Sequence, residues 1–127
     1  MDDRVPIRSY KDLDVWQVAM ELTEDCYHLT AVFPREEAFG LTAQIRRAAV
    51  SVPANIAEGY GRELTGSFIQ FLRIAQGSVK ELETHFHIGV RVNLATAEAT
   101  APLMEKCDRL SRMLRNLIRV LERKADG

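Results

Sequence analysis

Apolar residues recur at steps of three and four through nearly the whole chain, and turn-forming residues divide the pattern into four segments. The first follows Asp12, a good N-cap, and carries Leu13, Trp16, Ala19, Met20, Cys26, Tyr27 and Phe33 on one stripe. Pro34 interrupts it, and Glu36 and Glu37 then open a second helix where the helix dipole favours acidic side chains. That helix places Phe39, Leu41, Ile45, Ala48, Ala49, Val52 and Ile56 on one side and stops at Gly59 and Gly61. The third starts near Thr65 or Ser67, with Phe68, Phe71, Leu72, Ala75, Val79, Leu82, Phe86 and Val90 as its stripe. In the fourth, Thr96 is the N-cap, although Pro102 allows a start as late as Thr100. Its Leu103, Cys107, Leu110, Leu114, Leu117 and Leu121 follow a heptad seam suited to the shallow crossing of a helical bundle.

No period-two run is bounded by turn residues, so no strand is expected. The pattern predicts an all-α protein of one domain, 1–127, with helices over about 12–32, 35–59, 66–93 and 97–124. The architecture expected is an up-down-up-down, left-handed four-helix bundle. Its core should bury Leu110, Leu114, Leu117 and Leu121 against Trp16, Ile45, Leu72 and Leu82. Apolar residues beyond that seam, such as Phe33, Phe39, Ile69 and Ile88, are candidates for a subunit interface.

The run from Arg35 to Arg62 breaks several helix rules at once. Pro53 falls in its middle, removing one backbone N–H and crowding the carbonyl of residue 49. Asn55 and Glu58 are three apart and share a face, with Gln44 upstream. These three read either as structural hydrogen bonding that satisfies the carbonyl freed by Pro53, or as a contact for a ligand or partner. The alanines at 48, 49, 54 and 57, facing Ala75, Gly77 or Gly89, suggest close approach of two helices.

Composition adds constraints. The 127 residues are 46% hydrophobic and 28% charged, ordinary for a globular domain, with a net charge of -1. The charge is uneven: residues 1–105 carry a net of -5. Lys106, Arg109, Arg112, Arg115, Arg119, Arg123 and Lys124 stand against only Asp108 and Glu122, a net of +5. Cys26 and Cys107 fall near apolar stripes and read as reduced core residues. No apolar stretch approaches the ~20 residues of a membrane span, and the polar N-terminus lacks a signal-peptide core. A cytoplasmic location is expected.

Catalytic chemistry finds little support. Di-iron bundles use Glu-x-x-His pairs, whereas Glu81 and His85, like Glu83 and His87, are four apart. The serines at 51, 67, 78 and 111 lie within helices, without the strand-to-helix elbow that exposes a nucleophile. Gly59, Gly61 and Gly66 follow no strand and lead to no Gly-Lys-Ser/Thr. Neither an enzyme nor a cofactor or metal is expected.

The stretches DLDVWQVAMEL (12–22), FPREEAFGLTAQIRRAAVSVPANIAEGYGR (33–62) and FIQFLRIAQGSVKELETH (68–85) resemble the 23S rRNA intervening-sequence proteins, the S23 family. The NIAEG element after a mid-helix proline is the most specific match. This resemblance implies a cytosolic four-helix bundle that assembles as a homopentamer, from genes that sometimes lie inside ribosomal RNA insertions. One branch of the family is similar to the accessory variability determinant of diversity-generating retroelements, which binds nucleic acid and a reverse transcriptase.

The basic residues are then the functional lead. Arg109, Arg112, Arg115, Arg119 and Arg123 follow helical spacing opposite the leucine seam, and Arg46 and Arg47 form a second pair. They are either a solvated cationic face or a contact for RNA or DNA, whose field an oligomer would multiply. No aromatic residues interleave with them, so backbone contact rather than base stacking is expected. The expected function is a non-enzymatic, homo-oligomeric scaffold that engages nucleic acid or a nucleic-acid enzyme, such as a reverse transcriptase. The alternative is a small-ligand or catalytic protein using the Asn55 and Glu58 region.

Overall fold

The computed structural model describes residues 6–126; residues 1–5 of the polar N-terminus lie outside them. Four helices, α1 (Asp14–Thr30), α2 (Leu41–Gly61), α3 (Thr65–Arg91) and α4 (Ala97–Asp126), account for most of the chain, and no strand occurs among the described residues. Short 3-10 turns, Tyr10–Asp12 and Arg35–Glu37, precede α1 and α2. The fold is an all-α helical bundle. Each helix packs against the next, α4 also packs against α1, and the contact of α2 with α3 is the most extensive. The core runs the length of the bundle, with Leu22, Ile45, Ile56, Leu72, Leu82, Phe86, Leu110 and Leu114 all fully buried.

Helix ends show where local chemistry overrides periodicity. Asp12 caps no helix interior; its carboxylate accepts from the backbone N–H groups of Arg8 and Ser9, closing a capping box, and α1 starts two residues later. The second helix begins at Leu41 rather than at residue 35. Glu37 sits in the preceding 3-10 turn, and its Oε1 accepts from the Leu41 N–H at 2.9 Å, serving the helix from four residues upstream. Phe39 is therefore outside α2 and 97% exposed, while Phe33 is buried in the core. Thr96 caps α4 as expected, accepting from the Ala99 N–H at 3.0 Å.

The chain leaves α3 through Asn93, at φ 64. The Leu94 N–H reaches the Gly89 carbonyl and the Asn93 N–H that of Val90, a pairing that satisfies the last carbonyls of the helix. Between α2 and α3 the left-handed residue is Glu63, at φ 62, not one of the glycines.

Three packing expectations need correction. The buried face of α1 is Val15, Val18, Ala19, Leu22 and Cys26, while Leu13, Trp16 and Met20 are only partly buried and Tyr27 is exposed, because α1 has apolar residues on two faces and packs with the valine face inward. The buried stripe of α4 follows Leu103, Cys107, Leu110, Leu114 and Ile118, whereas Leu117 and Leu121 are only partly buried at its margin. A 3.6-residue helix drifts against a strict heptad, so the seam passes from one side of the leucine row to the other. Among the small residues, Ala48, Ala49, Ala75 and Gly89 are buried, but Ala54 and Gly77 are exposed. The close approach lies at Gly59, where a Cβ would stand 2.6 Å from the Phe71 Cβ.

Candidate nucleic-acid interface

The apolar stripe of α4 turns its opposite side to solvent. Arg112, Arg119 and Arg123, spaced seven and four residues apart, share one outward line, with Arg109 and Arg115 on its two flanks. All five are exposed. Arg112 pairs with Asp108 one turn earlier, and among the described residues the other four form no ion pair. The margins of α4 are tied down differently. Lys106 Nζ lies 2.6 Å from Asp25 of α1, and Glu122 accepts from Arg73 of α3 at 2.8 Å. Beside this ridge, the neighbouring α1 carries Asp14, Glu21, Glu24 and Asp25 and no Lys or Arg. A basic and an acidic helix thus adjoin, bridged at Lys106 and Asp25.

Arg46 and Arg47 do not join that ridge. Arg46 is half-buried: its Nε donates to Thr30 Oγ1 at 2.9 Å, and its guanidinium lies 4.5 Å from the Tyr27 ring centroid. This is a stacked, hydrogen-bonded tie between α2 and α1. Arg47 is exposed, but α2 makes no contact with α4 among the described residues, so the two basic groups stand apart.

The polar set of α2 is dispersed as well. Asn55 Nδ2 donates to the Ser51 carbonyl at 2.8 Å and to Ser51 Oγ at 3.0 Å. Ser51 Oγ in turn shares a 2.7 Å hydrogen bond with Ser78 Oγ of α3. Glu58 is exposed, 3.7 Å from Arg62, and Gln44 is exposed. The three candidates do not converge on one point. The carbonyl freed by Pro53 is served by none of them: Thr23 Oγ1 of α1 lies 3.1 Å from the Ala49 carbonyl, and 2.8 Å from that of Ala19. Sequence reading missed Thr23 because its partner lies 26 residues away; a hydroxyl at the edge of an apolar stripe was the one available signal.

Other chemistry is sparse. No group of three His, Cys, Asp or Glu residues among the described residues is arranged to hold a metal. Both ring nitrogens of His85 are buried without a hydrogen bond; Nε2 lies 3.5 Å from Glu81. Cys26 and Cys107 are free and buried. Burial, reinforced by the neighbouring Cys107 thiol, pushes the Cys26 thiol far above its ordinary range. Burial and then the Glu83 carboxylate push Cys107 up to about 12, against the opposing charge of Lys80. Both thiols are thus chemically quiet. Neither of the two main clefts is lined by Gln44, Asn55 or Glu58.

Residues 11–116 match the family of 23S rRNA-intervening sequence proteins. The chain belongs to this family. The matched region takes in all of α1, α2 and α3 and most of α4, so Arg109, Arg112 and Arg115 lie within it and Arg119 and Arg123 beyond it. Among solved structures, a protein with unknown function from the S23 ribosomal protein family of Bacteroides thetaiotaomicron is similar in fold, with a TM-score of 0.73. It is 22% identical, and the likeness covers 82% of this chain and 97% of that one. No curated protein matches the chain. This intervening-sequence family member has no helix, among its described residues, long and apolar enough to cross a membrane.

Proposed function

We propose that this protein is a non-enzymatic, homo-oligomeric scaffold that engages nucleic acid, or an enzyme acting on nucleic acid, through the outward arginines of α4. The observation that carries this reading is the exposure of Arg109, Arg112, Arg115, Arg119 and Arg123 along one helix. A guanidinium row with weak local pairing suits phosphate oxygens, which it can meet bidentately. The acidic α1 adjoins the ridge and repels the same ligand, so approach is directed to the α3-facing and outward sides of α4. Contact is with the backbone and tolerant of sequence, because the ridge presents no aromatic surface for stacking.

In this reading the bundle is left-handed and up-down-up-down, and it works in the cytoplasm as a homopentamer. Pairing of Ser51 with Ser78 and of Gly59 with Phe71 supports antiparallel neighbours, since the partner number falls as the α2 number rises. The pentamer and a reverse-transcriptase partner rest on the family resemblance. Five copies would gather the arginine ridges into one cationic assembly.

Fluorescence anisotropy with duplex DNA, single-stranded DNA and structured RNA across a salt series tests the reading. The wild type should bind with an affinity that falls by a log–log slope of roughly 0.7–0.9 per phosphate neutralised. Arg112→Gln, Arg119→Gln and Arg123→Gln together should leave the helix intact and bind more weakly with a shallower slope. Absence of binding to all three nucleic acids at low salt would overturn the nucleic-acid contact and leave a protein partner for the ridge.

A further inference from the structure

Phe39 is the most exposed large apolar side chain among the described residues, at 97%, yet it does not sit on a loose loop. The 3-10 turn at Arg35–Glu37, the Gly40 N–H to the Glu37 carbonyl at 2.9 Å and the Glu37 side-chain cap on Leu41 hold its backbone on both sides. It is an aromatic knob on a braced turn. Nothing in its own chain covers it.

The same end of the bundle bears a matching recess. Leu29, Val32, Phe33, Leu94, Ala95 and Ala99 line a largely apolar cleft of about 390 Å³ between the end of α1 and the α3–α4 connection. Val32, on its rim, is 83% exposed. The knob and the cleft share this end because Leu41, two residues after Phe39, meets Gly89, and Ala95 of the cleft wall lies beside the same glycine. The chain's own cleft is lined without Phe39.

We propose that this cleft receives Phe39 of a second copy of the chain. Size supports that occupant: an aromatic side chain buries on the order of 150–250 Å², and the recess of about 390 Å³, with Val32 exposed at its rim, has room for one ring. Position supports it too. Copies related by rotation about an axis along the bundle keep knob and cleft at one level, so each copy gives a phenylalanine to one neighbour and receives one from the other. The contact engages only the first turn of α4, at Ala99, and leaves its arginine ridge free. This inference rests on the ring assembly proposed above and names the contact that closes it.

Light scattering across a dilution series of the wild type, Phe39→Ser and Ala99→Trp tests the contact. Phe39 and Ala99 are both exposed, so both variants should keep the helical circular dichroism of the wild type and unfold cooperatively. The wild type should give about five times the 14.4 kDa of one chain. Loss of the ring from the cleft should weaken each contact at least about tenfold, since burying a phenylalanine is worth more than one decade of affinity. Each variant alone should therefore run as a monomer at concentrations where the wild type is assembled. Mixed one to one, they should form a heterodimer, because the intact cleft of Phe39→Ser meets the intact knob of Ala99→Trp. A wild-type assembly that both variants reproduce unchanged, or a mixture that stays monomeric, overturns the knob contact and leaves the ring standing. A wild type that is monomeric throughout overturns both.

Discussion

Thr23 and Pro53 form a compensating pair, and a double-mutant cycle reads its strength. Pro53 offers no N–H to the Ala49 carbonyl, and Ala49 is 1% exposed, so water does not replace the missing donor. The Thr23 hydroxyl, 3.1 Å away, supplies it from the neighbouring helix. Thr23→Val keeps the branched shape but removes the proton. A buried acceptor left unpaired costs about 1–3 kcal/mol. The hydroxyl divides its single proton between Ala49 and Ala19, which puts the expected loss at the lower end, about 1–2 kcal/mol. In a Pro53→Ala background, residue 53 regains an N–H four residues from Ala49, and the ordinary helical bond forms. Thr23→Val should then cost about 0.5 kcal/mol or less, giving a coupling energy of about 1 kcal/mol. Urea titrations of the four proteins, followed by circular dichroism with matched slopes, measure it. Coupling within about 0.3 kcal/mol of zero would refute the argument, because the hydroxyl and the proline would then act independently.

Two glycines make a matched test of helix contact. Gly59→Ala sets a Cβ 2.6 Å from the Phe71 Cβ, an atom that no rotamer moves; overpacking of about 1–3 kcal/mol should outweigh a propensity gain of about 1 kcal/mol and lower the urea midpoint. Gly77→Ala meets nothing within 4 Å and should raise stability by about 0.5–1 kcal/mol, and the midpoint with it; shifts of the same sign would contradict the packing. The cysteines predict a pH effect. Their folded pKa values lie above those of free thiols, so the folded state keeps protons that the unfolded chain releases. Stability should be fully present below the ordinary thiol pKa of about 8.5 and fall as pH rises through the alkaline range. Ellman's reagent should leave native Cys26 and Cys107 untouched at pH 8 and label both in urea; native labelling at the rate of a free thiol would rule this out.

What sequence reveals here follows the range of the interactions involved. The stripe of α3 was legible because it is a local repeat that one hydrophobic core reads directly, whereas α1 buries Val15, Val18 and Leu22 and leaves Tyr27 exposed, since two apolar faces of that helix compete for the core. The start of α2 was not legible, since Glu37 caps it from outside the helix and leaves Phe39 exposed where periodicity alone would bury it. Leu117 was misplaced because a heptad is only an approximation to helical period over five turns. Of the candidate site, the α4 ridge was visible as a run of arginines opposite leucines. The separate fate of Arg46 was not, because Thr30 and Tyr27 lie 16 and 19 positions away and no local pattern brings them to the guanidinium. Asn55 and Glu58 share a helix face, yet their partners turn out to be Ser51 on that same helix and Arg62 at its C-cap.

The two ion pairs at the margins of α4 have a mechanical consequence. Each is partly solvent-exposed and contributes little to folding energy. They lie on opposite sides of the helix, Lys106 pulling toward α1 and Glu122 toward α3, so they oppose any roll of α4 about its own axis. The buried row of Leu103, Cys107, Leu110, Leu114 and Ile118 already resists such a roll, and the two contacts set stops at either margin, like stays on a mast. The backbone beneath the arginine ridge therefore keeps one heading relative to α1 and α3, while the guanidinium groups above it stay free to move.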